Sequence, residues 1–373
     1  MASFTIEMAM PTDDAELRTM MAVPMGKEYE ITLRREPSFF YGVDVLGHSS
    51  QVIVARDQND GKPVGVATRS IKPAFVNGQV AELGYIGGLR LRQDVQNRTL
   101  LARGYQKFRQ LHEARPADAY VTTIIDGNGH AERLLTSGRA GLPRYAYWGQ
   151  YITLAICPGR KKKELAGQET SLSVCRGSRD QLDEIVDCLR RNGSRKQFYP
   201  AWSSEDFCSD RPYLRGFNIE NFFVARESGK VVGVIGAWDQ SSFKQSYVTA
   251  YRGKVRLLRP WYNLAAKLCG STPLPPQGSR LNSFFASHIA VDDDNTDVYR
   301  VLLRAVYNWT VGHGGYSYFL VGLHERDPFL AITQEYRSFA YPAKMYVVDW
   351  GDWPDGMSTI DQRVPPYLEL ATL

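Results

Sequence analysis

The stretch "VARDQNDGKPVGVAT" (residues 54–68) returns later in the chain as "VARESGKVVGVIG" (residues 224–236). Each copy reads as an apolar strand, a polar turn containing Gly-Lys, and a second apolar strand, which is the pattern of a β-hairpin. Gly65 in the first copy aligns with Gly233 in the second. An internal repeat on this scale predicts two copies of one domain in tandem.

The repeat extends on both sides of the hairpin. Upstream, "FTIEMAMPTDDAELRTMM" (4–21) corresponds to "LSVCRGSRDQLDEIVDCL" (172–189). Each reads as a strand followed by a helix with acidic residues in its first turn, where the helix dipole favours them. Downstream, "GLRLRQDVQNRTLLARGYQKF" (88–108) corresponds to "HIAVDDDNTDVYRVLLRAVYNW" (288–309), again a strand followed by a helix. The two copies therefore share one order of elements.

Each copy ends with a strand-like run, at residues 144–156 in the first and 341–350 in the second. The sequence therefore predicts a first domain at residues 1–157, a basic linker at 158–170 and a second domain at 171–373. The second copy is longer between its hairpin and its next strand, which predicts an insert at about residues 239–282.

Apolar residues in the predicted helices recur at helical spacing. Leu101, Tyr105 and Phe108 share one face at a period of about 3.6 residues, and Val298 and Leu302 do the same in the second copy. Helices with a single apolar face bury it against a sheet. We therefore expect the α+β class, with each copy an α/β/α sandwich around a mixed sheet.

Composition restricts the class of protein. The 373 residues are 43% hydrophobic and 23% charged with a net charge of +5, which is typical of a soluble globular chain and not of a dedicated nucleic-acid binder. The five cysteines show no metal-ligand spacing and no disulfide pattern. The N-terminal stretch is acidic where a signal peptide is basic, and no apolar run is long enough to cross a bilayer. We expect a cytoplasmic protein without a metal, a membrane partner or a nucleic-acid partner.

The segment "LRLRQDVQNRTLLARG" (89–104) runs from a strand through a polar turn into a helix. The first backbone N–H groups of a helix are unpaired and lie at the positive end of its dipole, so such a turn suits an anion. Arg92, Arg98 and Arg103 add positive charge around the turn. The segment predicts either an anion site or a simple connection.

The order of elements and these residues resemble the GNAT acyltransferases in a tandem two-domain form. In that family, Leu-x-Val at a strand end leads into Q/R-x-x-G-x-G/A at the next helix, whose N–H groups hold the pyrophosphate of CoA. Here Leu89-Arg90-Leu91 matches the strand end and Gln96 opens the loop, whereas Thr99 and Leu101 replace the two glycines.

The resemblance implies two acyl-CoA N-acyltransferase-like domains, each with a mixed, mostly antiparallel sheet flanked by helices. It implies acetyl-CoA, or another acyl-CoA, as co-substrate. A second family signature, Asn-x-x-Ala-x-x-Leu, is met by Asn128, Ala131 and Leu134, but Leu135 stands where many members have a tyrosine acid. The cofactor-binding residues implied in this way are Leu89, Arg90, Leu91, Gln96, Asn97, Arg98, Thr99, Leu100, Leu101 and Asn128.

The loop of the second copy has a different charge. Asp292, Asp293, Asp294 and Asp297 occupy the positions that correspond to the basic loop of the first copy. Carboxylates beside a pyrophosphate would repel it, whereas aspartate suits a helix N-terminus as a cap. We therefore expect the second copy to be a degenerate partner without its own CoA site.

Two residues on the strand "AELGYIGGLRL" (81–91) are candidates for catalysis. Glu82 is the candidate general base and Tyr85 is the candidate for positioning substrate; the alternatives are a solvated strand-end acid and an ordinary strand aromatic. Gly87 and Gly88 predict either the strand splay through which family members admit pantetheine, or a β-bulge.

The insert contains "YRGKVRLLRPWYNLAAKLCGSTPLPPQG" (251–278), in which basic and aromatic residues alternate before a run of prolines. Arg256 and Trp261 are the candidate contacts to an acceptor substrate, by charge-assisted hydrogen bonding and cation–π interaction. The alternative is a surface excursion that covers a sheet edge.

Three functional classes fit the sequence. The first is an acyl-CoA-dependent N-acyltransferase acting on a small-molecule amine. The second is a non-catalytic ligand-binding or regulatory protein derived from the same fold, as the missing glycines and tyrosine suggest. The third is an aminoacyl-tRNA-dependent transferase, for which the basic insert would contact RNA. The identity of the amine and the oligomeric state do not follow from the sequence.

Overall fold

The computed structural model describes residues 4–92, 94–95, 99–139, 141–165, 171–208, 211–269, 273–352 and 359–373. In the N-terminal half the strands are β1 (Phe4–Met8), β2 (Tyr29–Arg34), β3 (Ser49–Asp57), β4 (Pro63–Val76), β5 (Gln79–Leu91), β6 (Ala119–Ile125) and β7 (Arg144–Ile156). In the C-terminal half they are β8 (Leu172–Arg176), β9 (Phe222–Glu227), β10 (Lys230–Trp238), β11 (Gln245–Tyr251), β12 (Arg280–Leu281), β13 (Ser283–Val291), β14 (Tyr318–His324) and β15 (Ser338–Asp349). The helices are α1 (Asp14–Met21), α2 (Phe39–Asp44), α3 (Leu100–Ala114), α4 (Gly129–Leu135), α5 (Leu182–Gly193), α6 (Ser204–Cys208), α7 (Gly253–Cys269), α8 (Thr296–His313) and α9 (Leu330–Thr333).

One continuous sheet of 12 strands runs through both halves in the order β1-β3-β4-β5-β6-β15-β7-β14-β13-β10-β9-β8. Its neighbours are parallel at β5–β6 and at β13–β14 and antiparallel at the other junctions. Read from either end, the order is the same, because β1, β3, β4, β5 and β6 correspond to β8, β9, β10, β13 and β14. The predicted fold class is confirmed: a mixed, mostly antiparallel sheet flanked by helices, built from two copies.

The last strand of each half pairs with the other half. β15 lies between β6 and β7, and β7 pairs with β14. The boundaries predicted at 157 and 171 therefore separate the sequence repeats but do not divide the sheet. Periodicity predicts that each closing segment is a strand, whereas the choice of sheet edge depends on packing between the two halves.

The repeated hairpins form as predicted, β3 with β4 and β9 with β10. The second turn contains Ser228 and Gly229, both with positive φ (49° and 81°), which is the backbone that two-residue hairpin turns favour.

Two layers cover the N-terminal part of the sheet. On one face, which we call the helix face, α3 buries Tyr105 and Phe108 against Ile86, Tyr120 and Ile124, as the apolar spacing predicted. On the other face, which we call the tail face, α1 and α2 pack against β3 and β4, and the segment 366–373 packs farther along.

The insert forms a separate small sheet. β12 and β11 pair with each other, and β11 pairs with β2 from the N-terminal half. Helix α7 lies within this insert and belongs to neither repeat.

Candidate functional site

Strands β5 and β6 begin as neighbours and then diverge. Parallel pairing joins Leu83–Tyr85 to 119–121, and beyond this point both strands continue, to Leu91 and Ile125. The hydroxyl of Thr122 donates a hydrogen bond to the Ile86 carbonyl (2.7 Å) just past the last pair. The strands therefore splay and leave a cleft between their carboxyl ends.

A two-glycine bulge lies at the start of this cleft. Val66 of β4 pairs with Arg90 of β5 and Thr68 pairs with Gly87, so β5 carries one extra residue between them. Gly88 has a φ of 63°, and a Cβ there would lie 3.1 Å from the Thr68 hydroxyl. The sequence left open a splay or a bulge at Gly87–Gly88, and the structure contains both. A bulge of this kind turns backbone N–H groups out of the ladder.

Tyr85 spans the base of the cleft. Its ring covers Gly87, where a Cβ would lie 2.5 Å from Cε1, and its hydroxyl is 2.9 Å from the hydroxyl of Thr123 on β6. Burial raises the pKa of Tyr85, so the phenol stays protonated at neutral pH. The predicted positioning residue thus lies where the two strands separate.

Glu82 does not lie at the cleft. It pairs with Pro73, before the splay, and it is three residues from Tyr85, so its side chain leaves the strand on the opposite face. The bulge is six residues farther along β5, or about 20 Å at about 3.3 Å per residue. The assignment of Glu82 as general base is corrected accordingly.

The predicted pyrophosphate loop is described in part. Gln96, Asn97 and Arg98 lie outside the described residues. Thr99 immediately precedes α3, and Leu100 and Leu101 turn their side chains into the core. The residue that replaces the second glycine of the motif is therefore used for packing.

Several predicted cofactor residues surround the open end of the cleft. Leu89 and Leu91 of β5 are exposed, as are Ile125 at the end of β6 and Leu134 on α4. Asn128 caps α4 by accepting a hydrogen bond from the Ala131 amide (3.3 Å). Arg90 leaves the strand on the tail face, where its guanidinium contacts the sulfur of Met25 (3.4 Å).

The second copy contains the same splay and bulge, and segment 366–373 lies against it. His288 occupies the position of Gly88 and also has a positive φ, 52°. Its backbone amide donates to the Glu369 carboxylate (2.7 Å), and a Cβ on Gly322 of β14 would lie 2.9 Å from Leu370. Segment 366–373 thus contacts both strands of the second splay.

The acidic loop of the second copy is also occupied by protein groups. Asp292, Asp293 and Asp294 form ion pairs with Arg191, Arg195 and Lys196 at 2.8, 2.6 and 2.9 Å, respectively. The cap of α8 is Asn295, whose side chain accepts from the amides of residues 297 and 298, so the predicted capping role of the aspartates is corrected.

Four basic side chains approach one another on the tail face: Arg35, Lys72, Arg90 and Lys244, which we call the cationic cluster. A Cβ on Gly42 would lie 3.0 Å from Cδ of Arg35 and 3.7 Å from Cε of Lys244, so these two side chains pass the same point of α2. Within the described chain, no carboxylate side chain lies within 4.0 Å of any of the four.

Segment 366–373 supplies neutral partners to two members of the cationic cluster. Lys72 donates to the Thr372 hydroxyl (2.5 Å), and Lys244 approaches the Ala371 carbonyl (3.4 Å). Burial lowers the pKa of Lys72 to about 8, and burial with repulsion from Arg35 and Lys72 lowers the pKa of Lys244 well below its usual value. Burial thus disfavours the protonated form of both lysines. Glu369 attracts Lys72 at longer range, and the described side chains pair none of the four basic groups with a carboxylate.

Sequence reasoning did not identify the cationic cluster. Its members come from four separate segments, and only the fold brings them together. One local signal exists: Lys72 lies in a strand that is buried along most of its length, where a charged residue costs free energy without a dedicated partner.

We predict that Lys72 makes the stability depend on pH. Because its folded pKa is about 8 and the usual value is 10.5, the unfolded chain binds more protons between these pH values, and the free energy of unfolding rises with pH. Over this range, the free energy of unfolding of wild type should rise by up to about 3 kcal/mol relative to that of Lys72→Met. Urea unfolding at several pH values measures the difference. The exposed control Lys230→Met should differ from wild type by the same free energy of unfolding at every pH. The same result for Lys72→Met would contradict the prediction.

Arg256 and Trp261 lie elsewhere. Both are exposed on the outer side of α7, which is mounted on the small sheet and not at the cleft of β5 and β6. The structure therefore does not bring the two predicted acceptor contacts together with Tyr85 or with the cationic cluster.

Comparison with solved structures identifies the architecture. Saccharomyces cerevisiae N-myristoyltransferase with bound myristoyl-CoA aligns with a TM-score of 0.58 at 10% identity, over 93% of this chain and 83% of that one. A GCN5-related glucosamine N-acetyltransferase region of a fungal multi-domain GH3 β-N-acetylglucosaminidase aligns with a TM-score of 0.58 at 15% identity, over 92% of this chain and 38% of that one. The chain therefore shares the fold of these two acyltransferase structures. No protein-family model matches the sequence, and no curated protein does.

The two copies share one sheet, and the splay with exposed strand ends lies in the N-terminal copy. Among the described helices, none is long and apolar enough to cross a membrane. Within the same part of the chain, no three His, Cys, Asp or Glu side chains are grouped as metal ligands.

Proposed function

We propose that the chain is an acyl-CoA-dependent N-acyltransferase that binds acyl-CoA in the cleft between β5 and β6, and that its acceptor is an amine carrying an anionic group. The observation that carries the first part is the contrast between the two splays. The first splay has exposed strand ends at Leu89 and Ile125 and has Gly88 at its bulge, whereas segment 366–373 contacts both strands of the second splay. Acetyl-CoA is the expected co-substrate.

Acyl-CoA would supply an activated thioester, and the chain would hold it and assist its transfer. Backbone N–H groups at the Gly88–Leu89 bulge are suited to polarise the thioester carbonyl. The amine nitrogen bonds to the carbonyl carbon, and the C–S bond breaks. Tyr85, a protonated phenol at the base of the cleft, is suited to protonate the leaving thiolate.

The cationic cluster supports the second part of the proposal. Basic side chains without a paired carboxylate are suited to bind a carboxylate or a phosphate of the acceptor, and the bound anion would favour their protonated forms. The same positive charge lowers the pKa of an amine brought beside it, so more of that amine is neutral and nucleophilic. The proton that the amine loses after attack passes to water, the Tyr85 phenolate regains a proton from water, and this route requires no carboxylate base.

Isothermal titration with acetyl-CoA tests the cofactor site, and we predict one site per chain. Gly88→Ala should weaken binding at least about tenfold, because the added Cβ meets Thr68 and narrows the bulge. Gly61→Ala is the matched control: Gly61 also has a positive φ (71°), but a Cβ there meets nothing within 4 Å. Both variants should lose about 1 kcal/mol of stability from backbone strain.

Two equal sites per chain, or equal affinity in Gly88→Ala and Gly61→Ala, would contradict the assignment. Tight binding of acetyl-CoA with no transfer to any amine in a broad panel would instead favour a non-catalytic ligand-binding protein. Including octanoyl-CoA and myristoyl-CoA in the titration tests the length of the acyl chain.

A further inference from the structure

Helix α7 exposes large apolar side chains along one side. Leu257, Leu258, Trp261, Leu264 and Leu268 are each between 54% and 75% exposed. Their spacing of one, three, three and four residues places them on a single face of the helix. Large apolar residues on a soluble surface are usually scattered, so a continuous stripe of five indicates a contact surface.

The opposite face attaches α7 firmly to the protein. Arg259 donates to the Pro275 carbonyl (3.0 Å) and stacks on the ring of Tyr251. The side chain of Asn263 bonds both the amide and the carbonyl of Leu274, at 2.7 and 3.0 Å. Ala266 is buried on the same side. These contacts fix the rotation of the helix, so its apolar stripe faces outward.

The charge of α7 has one sign. Its sequence, residues 253–269, contains Lys254, Arg256, Arg259 and Lys267 and no acidic residue. Lys254 and Arg256 are exposed in the first turn, beside the start of the apolar stripe. A stripe of leucines with one tryptophan, flanked by cations, is the pattern of a helix that lies in a membrane interface.

We propose that α7 docks the protein on an anionic lipid surface, with the stripe Leu257, Leu258, Trp261, Leu264 and Leu268 inserted at the boundary of the acyl chains. Lys254 and Arg256 then lie among the lipid phosphates. The helix has 17 residues and lies along the surface. A lipid surface fits better than a protein partner, because the stripe offers no hydrogen-bonding group except the indole N–H of Trp261, which the lipid interface satisfies.

The proposal is an alternative to the expectations that the insert contacts an acceptor and that the protein has no membrane partner. It is independent of the acyltransferase proposal, since α7 is mounted on β11 and the segment that follows it, away from the cleft between β5 and β6. A protein without transferase activity would still bind the surface.

Co-sedimentation with vesicles tests the inference. The full chain is mixed with vesicles of pure phosphatidylcholine or of phosphatidylcholine with 30 mol% phosphatidylglycerol, a proportion of about one anionic lipid in three. Wild type should bind the anionic vesicles at least about tenfold more tightly than the neutral ones. Lys254→Gln with Arg256→Gln should remove most of this preference, and Leu257→Gln with Leu264→Gln should reduce binding to both kinds of vesicle about tenfold or more.

Met10→Gln with Val80→Gln is the matched control, because both residues are exposed apolar side chains outside α7. This variant should bind as wild type does. Failure of wild type to bind anionic vesicles, or binding unchanged in the Leu257→Gln/Leu264→Gln variant, overturns the proposal. Loss of a dimer in that variant, without vesicle binding by wild type, assigns the stripe to an interface between copies and also overturns it.

Discussion

Replacing Tyr85 by Phe is expected to lower kcat about 100-fold while the affinity for acetyl-CoA stays within about twofold of wild type. The hydroxyl lies at the base of the cleft, 2.9 Å from Thr123, and only this group is removed. Because the ring remains over Gly87, the wall of the cleft keeps its shape. An effect on kcat without an effect on binding is expected of a group that acts on the leaving thiolate.

Two further variants separate this role from a structural one. Glu82→Gln alters a charged group on the same strand but before the splay, and its turnover should stay within about twofold of wild type. Thr123→Val keeps the phenol and removes its partner, so it should lose less activity than Tyr85→Phe. If Tyr85→Phe retains the wild-type rate, or if Glu82→Gln is the more damaging change, the assignment of Tyr85 is wrong.

The sequence predicts the order of elements because the two copies support each other. Gly65 and Gly233, or Leu91 and Val291, identify equivalent strands that either copy alone would leave ambiguous. No sequence signal of this kind shows that β7 pairs with β14 of the second half or that β15 pairs with β6 of the first half. β7 and β15 are apolar strands with similar patterns, and their partners are decided by which sheet edges the folded halves bring together.

The error at Glu82 has a simple physical cause. Side chains alternate along a strand, so residues three apart lie on opposite faces, and Glu82 and Tyr85 cannot both point into one site. The prediction that Glu82 is the general base rests on the chemistry of its carboxylate alone. Gly87 and Gly88 are informative because a glycine indicates a position where the backbone adopts a positive φ or closely approaches another group.

The structure of the insert suggests a different role from the one that its composition predicts. Alternating cations and aromatics suggested a ligand contact, but the same residues wound into a helix segregate onto two faces. Arg259 and Asn263 then attach the helix, while Leu257, Trp261 and Leu264 face outward. The apolar stripe becomes visible only when the segment is treated as helical.

Replacing Lys244 by Met is expected to raise the thermal stability of the unliganded protein and to lower kcat/KM for an anionic acceptor about 100-fold. The first effect follows from removing a buried amine whose protonation is disfavoured by burial and by Arg35 and Lys72. The second follows from the loss of a charge-assisted hydrogen bond, at about 1.5–3 kcal/mol. A residue retained for function at the expense of stability should show both.

The measurement compares two amines that differ only in charge, such as β-alanine and its amide, with release of the CoA thiol as the readout. Wild type should prefer β-alanine, and Lys244→Met should remove the preference by slowing the acid and leaving the amide almost unchanged. Inorganic phosphate should raise the melting temperature of wild type but not that of Lys244→Met, a readout that needs no transferase activity. Lys230→Met, an exposed lysine outside the cationic cluster, should behave as wild type.

These outcomes distinguish the acceptor proposal from the cofactor proposal. If acetyl-CoA binds at one site but both amines react equally in wild type, the result supports the cofactor site in the cleft between β5 and β6. It also shows that the cationic cluster does not select the acceptor. If phosphate stabilises wild type through Lys244 but acetyl-CoA does not bind, the cationic cluster is an anion site in a protein without acyl transfer. A Lys244→Met variant that is less stable than wild type would mean that the lysine is compensated in the folded chain. The charge around Lys244 would then be structural, and the contacts to the acceptor would have to come from other residues near the bulge.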